Sequence, residues 1–282
     1  MTVPDDRSGD RRGGLNRSRQ NAPDDRGGGG GGLNRPRQDM PVAWSDLRRF
    51  TAARVALGRA GNGLPTAAHL DFQEAHAKAR DAVHSALDVD ALTAAVAPLS
   101  VLRVASQAAD RRAFLLRPDL GRRLREADRA ALPVAPGSFL FVVADGLCAS
   151  GVQQQAPALL AAAVPLLQRA GLEVAPVVVA AQGRVALGDE IGAAMGAAMV
   201  AVLIGERPGL TATDSLGVYL TLAPRPGRTD AERNCISNIR AGGMSAAAAA
   251  EKLLWLAGAA LRLGATGVAL KDAQPATPLL PR

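Results

Sequence analysis

Four short stretches concentrate the polar chemistry of this 282-residue chain: "DGLCAS" from Asp145, "QGRVALGDE" from Gln182, "GERPGL" from Gly205 and "ERNCISNIR" from Glu232. They hold carboxylates, guanidiniums, side-chain amides and exposed backbone, but no nucleophile beside a base. The chain has three histidines, His69, His76 and His84, and all precede these stretches. This half of the chain therefore supplies no imidazole base for its Ser or Cys residues, which argues against a hydrolytic triad. Spacings of seven and eight place the histidines near one face of a helix, whereas paired ligands on one helix sit at i and i+4. Polar packing or a subunit surface is the better reading. No G-x-x-x-x-G-K-[ST] occurs, and the Gly-rich "GRAGNG" from Gly58 lacks the preceding buried strand of a dinucleotide fingerprint. Taken singly, each Asp-Gly or Pro-Gly is a turn. Four polar loops after four buried elements point instead to one crevice holding a large polar ligand.

The elements that must position these loops follow from hydrophobic patterning. "SFLFVVADGL" reads as a buried strand ending at Asp145-Gly146, and the Ala-rich run to Ala170 as a helix stopped by Gly171. The next segment, from Leu172 to Leu210, repeats the alternation. Met199 to Ile204 is apolar on both faces, as in a strand covered on both sides. Glu206 and Arg207 should then emerge at its carboxyl end, where open α/β sheets bind ligands. The pattern predicts an α/β fold with a doubly wound, mostly parallel, Rossmann-like sheet. Beyond Asp214, "SLGVYLTLAP" reads as a strand, "RPGRTDAERNCISNIRAGG" as a long polar loop and "MSAAAAAEKLLWLAGAALR" as a helix, with "GVAL" adding a short strand. Upstream, "WSDLRRFTAARVALG" reads as a helix capped by Ser45 and stopped by Gly58. "TAAHLDFQEAHAKARDAVHSAL" reads as a second helix capped by Thr66. "VLRVASQAADRRAFLLRPDLGRRL" reads as a strand, a turn at "AAD" and a second strand, followed by a helix after Pro118. The expected division is a disordered tail over 1–43, an α-rich module over 44–136 and the Rossmann-like domain over 137–282.

Composition limits the partners. The chain is 48% hydrophobic but 3% aromatic, so its core must be mostly Ala, Leu and Val. A net charge of +7 raises the question of nucleic acid. The excess is spread along the chain, however, and no basic stripe is interleaved with aromatics as single-strand binding needs. Only Lys78, Lys252 and Lys271 among the 33 basic residues are lysine, a bias that suits genome composition better than a binding surface. Cys148 and Cys235 are too few and too far apart for a disulfide framework or a zinc site. The start lacks an apolar signal core, and no run approaches the ~18 charge-free apolar residues of a membrane span, so a soluble cytoplasmic protein is expected. The first forty residues carry an imperfect tandem duplication, "PDDRSGDRRGGLNRSRQ" and "PDDRGGGGGGLNRPRQ". Too polar to offset its ordering entropy, it reads as an unselected extension or an electrostatic tether.

Eight stretches in order from Ala53 to Asp272, "ARVALGRAGNGLPT", "RPDLGRRL", "VADGL", "GRVALGDEIG", "LIGERPGL", "DSLGVYLT", "PRPGRTDAERNCISNI" and "GVALKD", resemble the small (light) chain of ethanolamine ammonia-lyase. The resemblance implies an adenosylcobalamin-dependent enzyme converting ethanolamine to acetaldehyde and ammonia. It further implies a hetero-oligomer in which a large TIM-barrel subunit carries substrate and radical chemistry, while the small chain holds the lower face and nucleotide tail of the corrinoid. Carried over by motif, the cofactor contacts fall on Val185 of "GRV", Glu206 of "GERPG" and Cys235 of "RNCISN", with Gly205, Arg207 and Asn238 as neighbours; no catalytic or metal-ligating residue is implied. Corrinoid proteins that displace the cofactor's own base use a D-x-H-x-x-G loop, and "DGLCASG" lacks its His, so cobalt should keep its dimethylbenzimidazole. The N-terminus lacks the amphipathic helix expected of microcompartment targeting, which leaves the cytoplasm and a bacterial microcompartment both open. Two other classes compete: a stand-alone α/β binding or regulatory protein with a basic tail, and a nicotinamide-dependent oxidoreductase, which the missing fingerprint disfavours.

Overall fold

The computed structural model describes residues 46–274. The tandem repeat, the Ser45 cap and the last residues of the Pro-rich tail lie outside the described residues. Strands β1 (Val101–Ala105), β2 (Phe139–Ala144), β3 (Val177–Ala181), β4 (Met199–Gly205), β5 (Leu216–Leu222) and β6 (Asn234–Ile239) form one sheet in the order β1-β3-β2-β4-β5-β6. The first four run parallel; β5 runs against them, and β6, antiparallel to β5, ends that edge of the sheet. The α/β architecture with a mostly parallel sheet is as expected.

Period-two alternation explains why the central strands are apolar throughout. Phe139, Phe141, Val143, Met199, Ala201 and Leu203 face one core, while Leu140, Val142, Ala144, Val200, Val202 and Ile204 face the other. Helices α5 (Ala149–Arg169) and α7 (Ala246–Leu263) cover the first face, and α6 (Leu187–Met195) covers the second. Both faces are thus dry, the condition under which parallel strands read as unbroken hydrophobic runs. Glycines in left-handed geometry end two helices: Gly196 at φ +70° after α6 and Gly264 at φ +74° after α7.

The N-terminal region departs more from expectation. Leu47–Arg49 form only a 3-10 turn, because Arg48 folds the chain back by donating Nε to the Val55 carbonyl at 3.0 Å and Nη2 to that of Ala56. Helix α1 (Thr66–His84) forms, but Pro65 occupies the cap position and Thr66 is already helical. Only Ala82 of α1 is fully buried, and Leu70 and Phe72 are exposed. The segment after β1 makes helix α3 (Arg111–Leu116), not a second strand, since Asp110 Oδ1 accepts the Ala113 N–H at 2.7 Å and starts a turn that buries Phe114. Short helices α2 (Val89–Ala95) and α4 (Glu126–Ala131) complete this region. Strand β1 lies upstream of residue 136 yet pairs with β3, so the sheet draws on both sides of that expected boundary.

At the other end, "NCISNI" is strand β6 rather than loop, and "GVAL" is a 3-10 turn at Gly267–Ala269 rather than a strand. The alternation of β6 is concealed by a bulge. Leu216 faces Ile239 and Val218 faces Ile236, so β6 has one residue more than β5 over that interval. Asn238 adopts φ +59° there.

Candidate functional site

The carboxyl ends of β2, β3 and β4 open on a cleft of about 690 Å³. Strand order explains its place: β3 and β4 leave β2 in opposite directions, and ligands of open α/β sheets settle at such a switch point. Gly146 and Leu147 line it after β2, Gly183 to Ala186 after β3, and Ile204 to Arg207 at the end of β4. Tyr219 of β5 and Arg228, Thr229, Asp230 and Arg233 ahead of β6 close the far side, and Phe114 and Arg122 come from upstream.

Four of the expected residues, Val185, Gly205, Glu206 and Arg207, meet in this cleft. Cys235 and Asn238 do not line it but sit beside it on β6. Cys235 pairs across the ladder with Tyr219, and the Asn238 N–H donates to Glu206 Oε2 at 3.2 Å. The bulge thus turns a backbone donor away from the ladder and onto a carboxylate. Gly217 makes room for it: a Cβ there would stand 3.0 Å from Glu206 Oε1. Of "DGLCAS", Asp145 is buried behind the cleft, and Cys148 caps α5 by accepting the Gly151 N–H at 3.3 Å.

Positive charge dominates the lining. Arg122, Arg184, Arg207, Arg228 and Arg233 face Glu206 and Asp230. Phe114 lies between two guanidiniums, Arg184 at 4.3 Å and Arg111 at 4.7 Å from its ring centroid. Arg233 is almost fully buried, paired with Asp189 of α6 and bonded to Asp230 at 3.1 Å. Burial pushes the Asp189 carboxyl up against the opposing pull of Arg233. Burial also raises the Tyr219 hydroxyl to about 12, helped by Cys235 and Glu206, and lifts the Cys235 thiol. Both stay protonated at neutral pH, so they serve as neutral hydrogen-bonding groups rather than acid or base. The arrangement is chemically suited to holding a large ligand rich in acceptors, with Val185, Ile204 and Leu147 offering apolar contact. Among the described residues no group of three His, Cys, Asp or Glu is placed to hold a metal ion.

The model of the ethanolamine ammonia-lyase light chain family matches residues 41–271. The chain belongs to the ethanolamine ammonia-lyase light chain family. The ethanolamine ammonia-lyase small subunit of Bradyrhizobium diazoefficiens is 54% identical over 233 residues, covering 80% of this chain and 89% of its own. Those of Rhodopseudomonas palustris and Xanthomonas campestris pv. campestris are each 53% identical, over 232 and 239 residues, covering 80% and 82% of this chain and 89% and 88% of theirs. As a light chain of ethanolamine ammonia-lyase, the protein is a subunit of a lyase.

The light chain's cleft includes residues that sequence reasoning missed: Phe114, Arg122, Arg184, Tyr219, Arg228 and Arg233. Arg184 and Arg228 stand in or beside the glycine-bearing loops, so an arginine inside a glycine loop was an available signal. Phe114 and Arg122 carried none, because only the fold brings α3 and its following turn to the ends of β3 and β4.

Proposed function

We propose that this light chain holds adenosylcobalamin in the cleft at the strand ends, through Val185, Gly205, Glu206, Arg207, Cys235 and Asn238, for the conversion of ethanolamine to acetaldehyde and ammonia. A large subunit, a TIM barrel, would carry the substrate and the radical steps, and the hetero-oligomer would work in the cytoplasm. The bound cofactor supplies Co–C homolysis; everything else asked of this chain is positioning and exclusion of water. Its residues suit that group. Arg122, Arg184, Arg207 and Arg228 line the cleft, a positive wall suited to the acceptors of a nucleotide tail. Val185 and Ile204 offer the apolar surface that a benzimidazole or corrin edge needs. All three histidines sit on α1 and none lines the cleft, consistent with a cobalt that keeps its own base.

The observation that carries the reading is the joining of the Val185 and Glu206 loops in one arginine-rich cleft of a family member. Glu206 is held in a defined orientation. It is anchored by the Asn238 N–H through Oε2, with Oε1 set against Gly217, and it lines the cleft. Co-expression with a large subunit, followed by adenosylcobalamin-dependent acetaldehyde release and cobalamin titration, tests the proposal. Glu206→Ala should weaken cobalamin binding and leave ethanolamine binding nearly intact. A complex that binds no cobalamin, or a light chain dispensable for turnover, overturns it.

A further inference from the structure

We infer that Asp145 is the positioning residue that holds the two principal cofactor loops in register; this rests on the cleft being the corrinoid site. Asp145 ends β2, between the strands that deliver those loops. Its side chain is only 6% exposed, yet it touches no solvent-facing partner that would explain it as a surface group. Oδ1 accepts the N–H groups of Gly146 at 3.0 Å and Gly183 at 2.9 Å, and Oδ2 accepts that of Gln182 at 3.0 Å. Gln182 and Gly183 lie beyond the β3 ladder, so the carboxylate replaces the strand partner those amides lack. Gln182 at φ +54° and Gly146 at φ +56° are both left-handed, which turns both loops' donors inward onto one anion.

The second half of the device is backbone. The Asp145–Cys148 turn sits against the end of β4, with Leu147 N–H donating to the Gly205 carbonyl at 3.0 Å. A Cβ on Gly205 would stand 2.7 Å from the Asp145 carbonyl oxygen, so the fit requires glycine. One residue therefore fastens the loop that carries Val185, through Gln182 and Gly183, and its own turn fastens the strand end that carries Glu206. Arg111 braces the assembly from behind, donating to the Gly146 carbonyl at 2.7 Å and standing 3.8 Å from Asp145 Oδ2. Its guanidinium also sits over Phe114, which lines the cleft.

Asp145→Asn keeps the shape but points an amide donor at the Gln182 N–H, in place of Oδ2, or at the Gly146 and Gly183 N–H groups, in place of Oδ1, so in either orientation the β3 loop loses a bond to residue 145. In the complex with the large subunit, this variant should raise the dissociation constant for cyanocobalamin, read by absorbance, at least tenfold. It should leave kcat at saturating adenosylcobalamin and KM for ethanolamine within about twofold. Hydrogen exchange of the wild-type complex supplies a readout that needs no variant: the Gln182 and Gly183 amides should exchange as slowly as sheet amides. Rapid exchange at both, or unchanged cyanocobalamin affinity in Asp145→Asn while Glu206→Ala weakens it, overturns the inference and leaves the cleft reading intact. If neither variant changes cyanocobalamin binding, the cleft reading itself fails.

Discussion

Replacing Arg233 by Met tests whether the cleft's far wall rests on a buried ion pair. The Arg233 and Asp189 side chains are 1% and 3% exposed, so the substitution strands a carboxylate in a dry interior. Breaking such a pair from one side costs about 3–5 kcal/mol. The cost has a ceiling, because Asp189 escapes it by taking up a proton. Burial already raises this carboxyl in the native chain, and loss of Arg233 raises it further. The folded state then holds the proton to higher pH than the unfolded state does. The variant is thus nearest to wild type in acid, and its deficit grows by about 1.4 kcal/mol per pH unit from the wild-type folded value, which burial already holds above 3.8, up to the variant's higher folded value. A deficit of about 3 kcal/mol at pH 7 corresponds to a further rise of roughly two pH units. Urea titrations of the light chain, followed by tryptophan fluorescence from pH 4 to 7, measure it. Adding Asp189→Asn to Arg233→Met should recover much of the loss, because the double variant buries no charge. A single variant within about 1 kcal/mol of wild type at pH 7, or a deficit flat across that range, would refute the reasoning.

Three further outcomes are expected. Gly205→Ala should lower stability by about 2–4 kcal/mol, through overpacking against backbone and loss of the Leu147–Gly205 hydrogen bond; its thermal midpoint should fall accordingly. Glu232 accepts the Thr229 N–H at 2.7 Å and pairs with Arg228, and its carboxyl is lowered to about 2. Its stabilisation is complete above pH 5 and fades as pH falls from 4.5 towards 2. The midpoint gap between wild type and Glu232→Gln should accordingly be constant above pH 5 and shrink at pH 3, and a gap undiminished at pH 3 contradicts this. Iodoacetamide at pH 8 should label Cys235 more slowly than a free thiol, since its thiol is raised. Buried Cys148 should react only on unfolding, as peptide mapping will show.

What was legible in the sequence is what local pattern determines. Runs buried on both faces, such as Phe139–Ala144 and Met199–Gly205, announce their strands, and the glycines after α5, α6 and α7 announce their ends. Strand-end logic then places Glu206 and Arg207 in the cleft without knowledge of any contact. Elements decided by tertiary contacts are not legible in this way. The "AFLL" run suits a strand, but a single Asp110 cap commits it to a helix. The "NCISNI" edge strand alternates correctly only once the extra residue opposite Gly217 is known, and no local signal reveals it. Arg228 and Arg233 enter the site because Asp189, on a distant helix, holds Arg233 in place.

The β6 bulge also makes the spacing of the edge strand a requirement rather than a habit. Between Ile236 and Ile239 the chain spends three steps where β5 spends two. Removing Ser237 would restore an even ladder and, judged by pairing alone, improve the sheet. It would also return the Asn238 amide to β5 and leave the Glu206 carboxylate without a fixed orientation. Length in this stretch is therefore as informative as residue identity: a chain one residue shorter here, with every cleft residue retained, would have a well-formed sheet edge and a disordered acceptor at the mouth of the cleft.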